Sequence, residues 1–422
     1  MSRYGIRTRK GQVSSIIETA SGFTVSTGSI TWDSSNSSPN GQGYSSGVTV
    51  VTETHLGMKR CVVNDNGTVN YYLSATDSTK KADGTNATLT GADGQVMVEI
   101  PKFWTKRSVS GNSITWSIAS QPLSGYTLHP AFTKDGNTVD FRYYGAYDGC
   151  YWDATDSTYK SGLNLDDVTS LLDLAADKLS SVSGVYPLVG NTRAQGRSLA
   201  SNRGTFWRQV DFTLWSAVQL LYLIEYQTFY SQNVLGNGNT NVTNAYSVGS
   251  SSTQTDSPHS VAGKSNALGN GSTNTTSGAS STSRDTAYMS YRGIENFYGN
   301  CWYWVDGINA NVGANGRIHV TNNRADFTDN SSTNMTLITS SATTGQNFIS
   351  AIAAIDNYFI ATAVAGSSTT YLTDYWYSVP ASNRVVVVGG SAIDAANAGA
   401  FMFNANSDSS YAYRNIGSRL AG

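Results

Sequence analysis

Charge is what this chain has least of. Only 13% of its 422 residues are charged, and 27 Lys and Arg against 29 Asp and Glu leave a formal net charge of −2. Neutralising phosphates takes concentrated Lys and Arg, so no nucleic-acid partner is expected. The three cysteines, Cys61, Cys150 and Cys301, are odd in number and far apart. That excludes a legible disulfide framework or CxxC metal knuckle, and buried free thiols are expected instead. Four histidines with no two at ligand spacing give no metal centre, and no cofactor is expected. No apolar run reaches the roughly 18 residues of a spanning helix, so membrane insertion is not expected. The opening MSRYGIRTRKGQ is basic but is followed by no apolar stretch, which argues against a secretory signal and for synthesis in a cytoplasm. Most Asp residues sit in turns such as Asp135-Gly136 and Asp306-Gly307, where local hydrogen bonding favours them. No carboxylate pair across a cleft can be picked out. No catalytic residue is assigned and the chain is read as a non-enzyme.

What remains is a chain rich in Gly (41 residues) and Tyr (25), with 9 Trp and abundant Ser, Thr and Asn. That mixture suits a turn-rich, mostly β protein with a neutral polar surface. It also suits adaptable recognition surfaces, where Tyr gives contact area at low entropy cost and Ser, Gly and Asn give flexible hydrogen bonds. The length predicts two or three structural units and a real core.

Residues 1–55 hold short β-like runs at Ser14 to Ile17, Gly22 to Val25 and Val48 to Thr52 around a Ser/Asn/Gly cluster, a small β-rich N-terminal unit. From Met58 the pattern tightens. Asn64-Asp65-Asn66-Gly67 joins two alternating runs as a hairpin, Val96 to Phe103 alternates as a strand, and Asp135-Gly136 turns between two more. His129, before Pro130 and with no second His nearby, is read as structural. Leu163 to Leu179 has a helical period behind an acidic first turn. A second helix follows Asp211 or Thr213 as cap. It is apolar nearly all round through Tyr226 and so is expected in the centre of the domain, with Glu225 as a hydrogen-bonded carboxylate tying down a loop. Gly236 to Thr286 has almost no large apolar side chain and forms no core of its own. It is expected to be a mobile loop or to be ordered on neighbouring subunits.

The centre of the chain is Tyr291 to Gly307, YRGIENFYGNCWYWVDG, a turn leading into an alternating strand with Trp302 and Trp304 on one face. Val385 to Val388 is a continuous β-branched run, read as a fully buried strand, and Ala400 to Phe403 is read as another. Gly299-Asn300-Cys301-Trp302-Tyr303-Trp304 resembles the GNVWEW signature of the formylglycine-generating-enzyme branch of the C-type lectin fold. Gly389-Gly390-Ser391, Ala398-Gly399 and Ile416-Gly417-Ser418-Arg419 resemble that family's closing pattern. Ala392 stands where the family often has Trp, and Ser418 where it often has Phe. From about Met58 onward the chain is most similar to phage tail-fibre tip proteins and to the variable proteins of diversity-generating retroelements, which bind targets rather than catalyse.

The resemblance implies an α+β, mostly β chain: residues 56–422 as a C-type-lectin-like receptor-binding domain with one or two buried helices, short antiparallel sheets and an insertion at 236–286. Within that insertion Ala267-Leu268-Gly269-Asn270 resembles a segment of tail-tip proteins, which favours an ordered surface loop. It implies a homotrimer at a virion tail-fibre tip, bound to other tail proteins through the N-terminal unit and recognising a bacterial surface protein or glycan. The ligand-binding residues it implies are Asp394, Asn397, Asn404, Asn406, Asp408, Ser409, Tyr411, Tyr413 and Arg414 in the closing segment, joined by Tyr375 and Trp376. Loops on a rigid scaffold are where recognition sits. The alternatives are a structural tail or baseplate protein without its own receptor, a surface depolymerase, and an enzyme of the formylglycine-generating fold, whose reactive cysteine pair has no recognisable counterpart beside Cys301.

Overall fold

The computed structural model describes residues 4–9, 12–18, 24–41, 44–45, 49–161, 168–242, 259–276 and 286–422. It is mostly β, with four α-helices among the described residues: Glu53–Gly57, Arg193–Ser201, Phe212–Tyr226 and Ser231–Leu235.

The helix Phe212–Tyr226 is buried at every position. Its sequence has no polar stripe, so no face of it can be left to water. The Asp211 carboxylate caps it, accepting from the Leu214 N–H at 2.9 Å, and Gln227 ends it in the left-handed conformation (φ 58°). Glu225 receives both Arg292 Nε and Nη2 at 2.6 Å and so pins the helix end to the turn at Arg292, as expected.

Three sheets surround the helix. One has six strands in the order Tyr4–Arg9, Gln12–Glu18, Thr24–Asp33, Ser113–Ala119, Trp104–Ser110, Thr127–Leu128. Within it Thr24–Asp33 pairs over seven residues with Ser113–Ala119, so the sheet runs without a break across the boundary drawn at residue 55. Trp32 and Trp116 from these two strands pack edge-on against Phe229, with ring centroids 5.3 and 5.7 Å away. A second six-stranded sheet contains the expected hairpin Lys59–Val63/Val69–Tyr72 and the strand Gln95–Pro101, and it receives the final strand, Leu420–Ala421. The third and largest sheet curls around the rest. At its heart lie Trp302–Ala310, Arg384–Val388, Phe403–Ser407 and Leu372–Ser378, in that order.

The alternation expected at Tyr291 to Gly307 is present. Tyr303 and Val305 face the main core, while Trp302 and Trp304 form a separate cluster with Val385, Val387, Met402 and Ile416 on the other face. Val385 to Val388 is buried between two strands. His129 is structural: its Nδ1 accepts from the Ala131 N–H at 3.2 Å. Asp135 (φ 50°) and Gly136 (φ 80°) form the turn of a short hairpin.

Two expectations are corrected, at Leu163 to Leu179 and at Ala400 to Phe403, while the ordered loop favoured around Ala267 to Asn270 is present. Of the helix read over Leu163 to Leu179, residues 163–167 lie outside the described residues, and the rest is not α-helical. From Val168 onward there is a 3₁₀ turn at Thr169–Leu171, an irregular turn, and the strand Lys178–Ser180. Asp177 takes the Asp173 N–H and Asp173 the Ala175 N–H, both at 2.9 Å, and such local bonds compete with a helical ladder. Leu171 and Leu174 are left exposed. The strand read at Ala400 to Phe403 starts at Phe403 instead, because side chains take the backbone groups before it: Asp374 the Phe401 N–H (2.7 Å), Gln219 the Ala400 carbonyl (2.7 Å). Within the insertion, residues 259–276 are ordered by their own chain. Ser265 is held by Arg60 and Glu295 at 2.6 Å each, and Ser260 N–H donates to Asn300 at 2.8 Å. Residues 243–258 and 277–285 lie outside the described residues.

Candidate functional site

The sheet register decides which closing-segment residues share a surface. Trp304 lies opposite Val387, Val387 opposite Asn404, and Asn404 beside Tyr377 on a parallel strand. The short strand Ile416–Gly417 runs parallel to Trp302 and Tyr303. This face therefore has an apolar floor of Trp302, Val387 and Ile416, with Tyr375 and Tyr413 half-buried against it. Over the floor stands the loop that follows the strand Phe403–Ser407. Asn404, Asn406, Asp408 and Tyr411 rim a cleft of about 140 Å³ whose base is Trp302 and Ile416. That is small against the roughly 300–1,000 Å³ of sites that engulf a small molecule. The geometry suits contact by a surface.

The rim is pre-organised by local bonds. Asn404 Oδ1 accepts from the Asn406 N–H (2.8 Å), and Asp408 accepts from the Ser410 N–H (3.0 Å) and hydroxyl (2.6 Å). Those Ser410 bonds hold the Asp408 carboxyl below its usual range, so it presents a full negative charge. Tyr411 is 43% exposed and stacks on Tyr413 with centroids 6.3 Å apart and rings 22° from parallel. The Arg414 guanidinium sits 5.8 Å over the Tyr413 ring. Aromatic area, one cation and one anion thus sit on adjoining residues, with the half-buried Ser409 between Asp408 and Ser410.

Three further candidates are placed otherwise, while Tyr375 stays on this face. Trp376 does not belong to this surface: it is fully buried, stacks flat on Phe403 (4.2 Å, 5°) and donates its indole N–H to the Thr343 carbonyl. Strand alternation puts it on the main-core face and its neighbour Tyr375 on the other. Tyr375 is half-buried, edge-on to Phe348 at 5.3 Å. Asp394 is committed to the turn after Gly390, accepting from the Ser391 N–H (2.6 Å) and hydroxyl (2.7 Å), and burial pushes its carboxyl up. Asn397 ends the short turn Ala395–Asn397 and is half-exposed.

The departures at Ala392 and Ser418 have structural counterparts. Ala392 is buried with Val242, and its carbonyl accepts from the Val242 N–H. Ser418 donates to Gln209 Oε1 (2.7 Å) and accepts from Asn191 (2.9 Å), in a niche where the polar partners fit a hydroxyl. All three cysteines are buried and free, and burial pushes the Cys150 thiol up to about 12 and the Cys301 thiol higher than its ordinary value. Among the described residues no three His, Cys, Asp or Glu side chains are grouped to hold a metal, and no helix is long and apolar enough to cross a membrane.

No family model matches the chain, and no curated protein matches it.

Proposed function

We propose that this chain is a receptor-binding protein of a phage tail-fibre tip, with a C-type-lectin-like domain that grips a bacterial surface protein or glycan through its closing segment. The observation that carries the reading is the rim of Asn404, Asn406, Asp408 and Tyr411 mounted on the rigid floor of Trp302 and Ile416. A fixed floor under a polar and aromatic loop lets the loop vary while the scaffold holds. The signature-like strand at Trp302 and Tyr303 pairs with Ile416 and Gly417 of the closing segment, so the two stretches that carry the resemblance meet beside the rim. In this reading Tyr411 and Tyr413 supply contact area, while Asn404, Asn406, Asp408 and Arg414 set specificity. Three copies at a tip would turn weak single-site binding into avidity.

The test is adsorption of the purified chain to intact candidate bacteria, with its mass taken by light scattering on the same sample. A trimer whose cell binding falls about tenfold or more in Tyr411→Ala/Tyr413→Ala is the expected result. Unchanged binding by the folded double variant overturns the site. A monomer that adsorbs to no cells favours a structural tail or baseplate role.

A further inference from the structure

A second cleft, sharing no residue with the closing segment, lies on a three-stranded sheet that the sequence does not announce. Its strands are Thr158–Lys160, Cys150–Asp153 and Lys178–Ser180, in that order. The register sets Trp152 directly opposite Tyr159 on one side and Lys178 on the other, and cross-strand partners share a face. The result is a row of two aromatic rings and an ammonium group. The rings are 4.8 Å apart, edge to face, and both side chains are half-buried.

Facing this row are the hairpin tip at Asn64 and Asp65, the strand residue Asn70, and the turn from Thr90 to Gln95. Together they enclose about 720 Å³, about five times the closing-segment cleft and within the range of sites that hold a small ligand. The walls are tied in place. Asp65 receives Arg203 Nη1 at 2.5 Å, and Arg203 is fixed in turn by the Leu179 carbonyl (2.8 Å) and the Ser180 hydroxyl (2.6 Å). The Tyr71 hydroxyl holds Asp93 Oδ2 at 2.9 Å, and Asn70 Nδ2 donates to the Asp93 carbonyl at 3.1 Å. Gly91 has φ +92°, and a Cβ there would come within 2.0 Å of the Tyr159 hydroxyl, so only glycine leaves that ring its position.

The chemistry of the lining selects the ligand. Asp65 and Asp93 are matched by Lys178 and Arg203, so the cleft has no net charge to draw in a phosphate or a polyanion. It offers donors and acceptors together, since an Asn side chain is both. It also offers an aromatic wall, which suits an apolar C–H face. A ligand with hydroxyls around its edge and C–H bonds on its face is a pyranose. We infer that this cleft binds a segment of a neutral oligosaccharide, with a sugar ring laid against Trp152 and its hydroxyls bonded to Asn70 and the groups around Asp93. The inference stands on this geometry and is independent of the role proposed for the closing segment.

The experiment is ligand-observed saturation-transfer NMR on the full chain, using neutral hexasaccharides built from glucose, galactose, mannose and N-acetylglucosamine, with a uronate hexasaccharide as the anionic comparison. Transfer to ring C–H protons of at least one neutral sugar is expected, with affinity falling about tenfold in Trp152→Ala. Asn70→Ala, at an exposed position that bears on no core contact, is expected to weaken binding several-fold and guards against a Trp152 variant that fails to fold. Repeating these losses in a Tyr411→Ala/Tyr413→Ala background removes any sugar held by the closing segment, which keeps this outcome separate from the adsorption test. Absence of transfer to every neutral sugar, preference for the uronate, or binding that persists in folded Trp152→Ala and Asn70→Ala alike would overturn the inference.

Discussion

Arg419 and Asp148 meet as a fully buried ion pair although 271 residues of chain separate them. The same guanidinium donates to the Glu295 carbonyl (2.7 Å) and the Tyr303 hydroxyl (2.9 Å), while Asp148 also receives Asn296 Nδ2 at 3.0 Å and the amide of Asn300. The last strand, the central turn and the loop at Asp148 are thus closed around one charge pair. Removing either partner leaves the other charge buried and unpaired, and Arg419→Ala or Asp148→Ala should each cost about 3–5 kcal/mol in urea unfolding. Arg419→Lys keeps the charge but loses the fork that reaches several acceptors at once, so it should restore only part of that stability. A loss below about 1 kcal/mol in both alanine variants would show that the pair does not hold these segments together.

The strand Trp302–Ala310 and the helix Phe212–Tyr226 were legible because each carries its own periodicity: alternate aromatics in one, unbroken apolar residues in the other. The helix Arg193–Ser201 was missed, although Thr192 and Gln195 spell a capping box that the structure uses, with Thr192 accepting from the Gln195 N–H and Gln195 reaching back to the Thr192 N–H. Its buried face mixes Arg193 and Gln195 with Gly196, Leu199 and Ala200, so it offers no apolar stripe to find. Tyr375 and Trp376 could not be sorted from sequence, because two adjacent aromatics fit either face and only the pairing of Trp376 with Phe403 decides which is inward. Likewise the row of Tyr159, Trp152 and Lys178 exists only through pairing between strands that loops separate.

His55 gives a prediction about acid. Its Nδ1 accepts from the Thr52 N–H (3.1 Å), its Nε2 meets the Leu221 carbonyl (2.9 Å), and burial lowers its pKa to about 4 while Glu225 and Arg292 act on it in opposite senses. The folded state prefers the neutral ring, so this contribution is fully present above the unfolded pKa of 6.5 and is lost as pH falls toward 4. His55→Gln keeps a donor and an acceptor but does not titrate. The stability difference between parent and variant should therefore shift against the parent by roughly 1.4 kcal/mol per pH unit as pH drops through that window. Urea midpoints at several pH values measure it, and parallel profiles would refute it.

Gly399 should not tolerate a side chain. A Cβ at this position would lie 2.1 Å from Asp374 Oδ1 and 2.2 Å from Oδ2, against a buried carboxylate with no room to move away. Gly399→Ala is expected to cost about 1–3 kcal/mol or more by overpacking. Gly399→Ala in an Asp374→Ala background should cost clearly less, since neighbours in contact are not additive. Equal costs in the two backgrounds would place the strain elsewhere.

Asp374 carries the opposite pH dependence from His55. Its carboxylate accepts from the Phe401 N–H (2.7 Å) and the Ser231 hydroxyl (3.0 Å), bonds that favour the charged form, yet burial outweighs them and raises its pKa to about 7. A folded pKa above the unfolded 3.8 means the native state holds the extra proton between those values. The contribution is thus fully present below 3.8 and is lost as pH rises through about 7, at roughly 1.4 kcal/mol per pH unit within the window. Asp374→Asn keeps an acceptor for Phe401 and carries no proton to lose. It should gain on the parent steadily from pH 4 to pH 7 and run parallel to it above. Urea midpoints of parent and Asp374→Asn at several pH values measure this, and profiles that stay parallel between pH 4 and pH 7 would refute it.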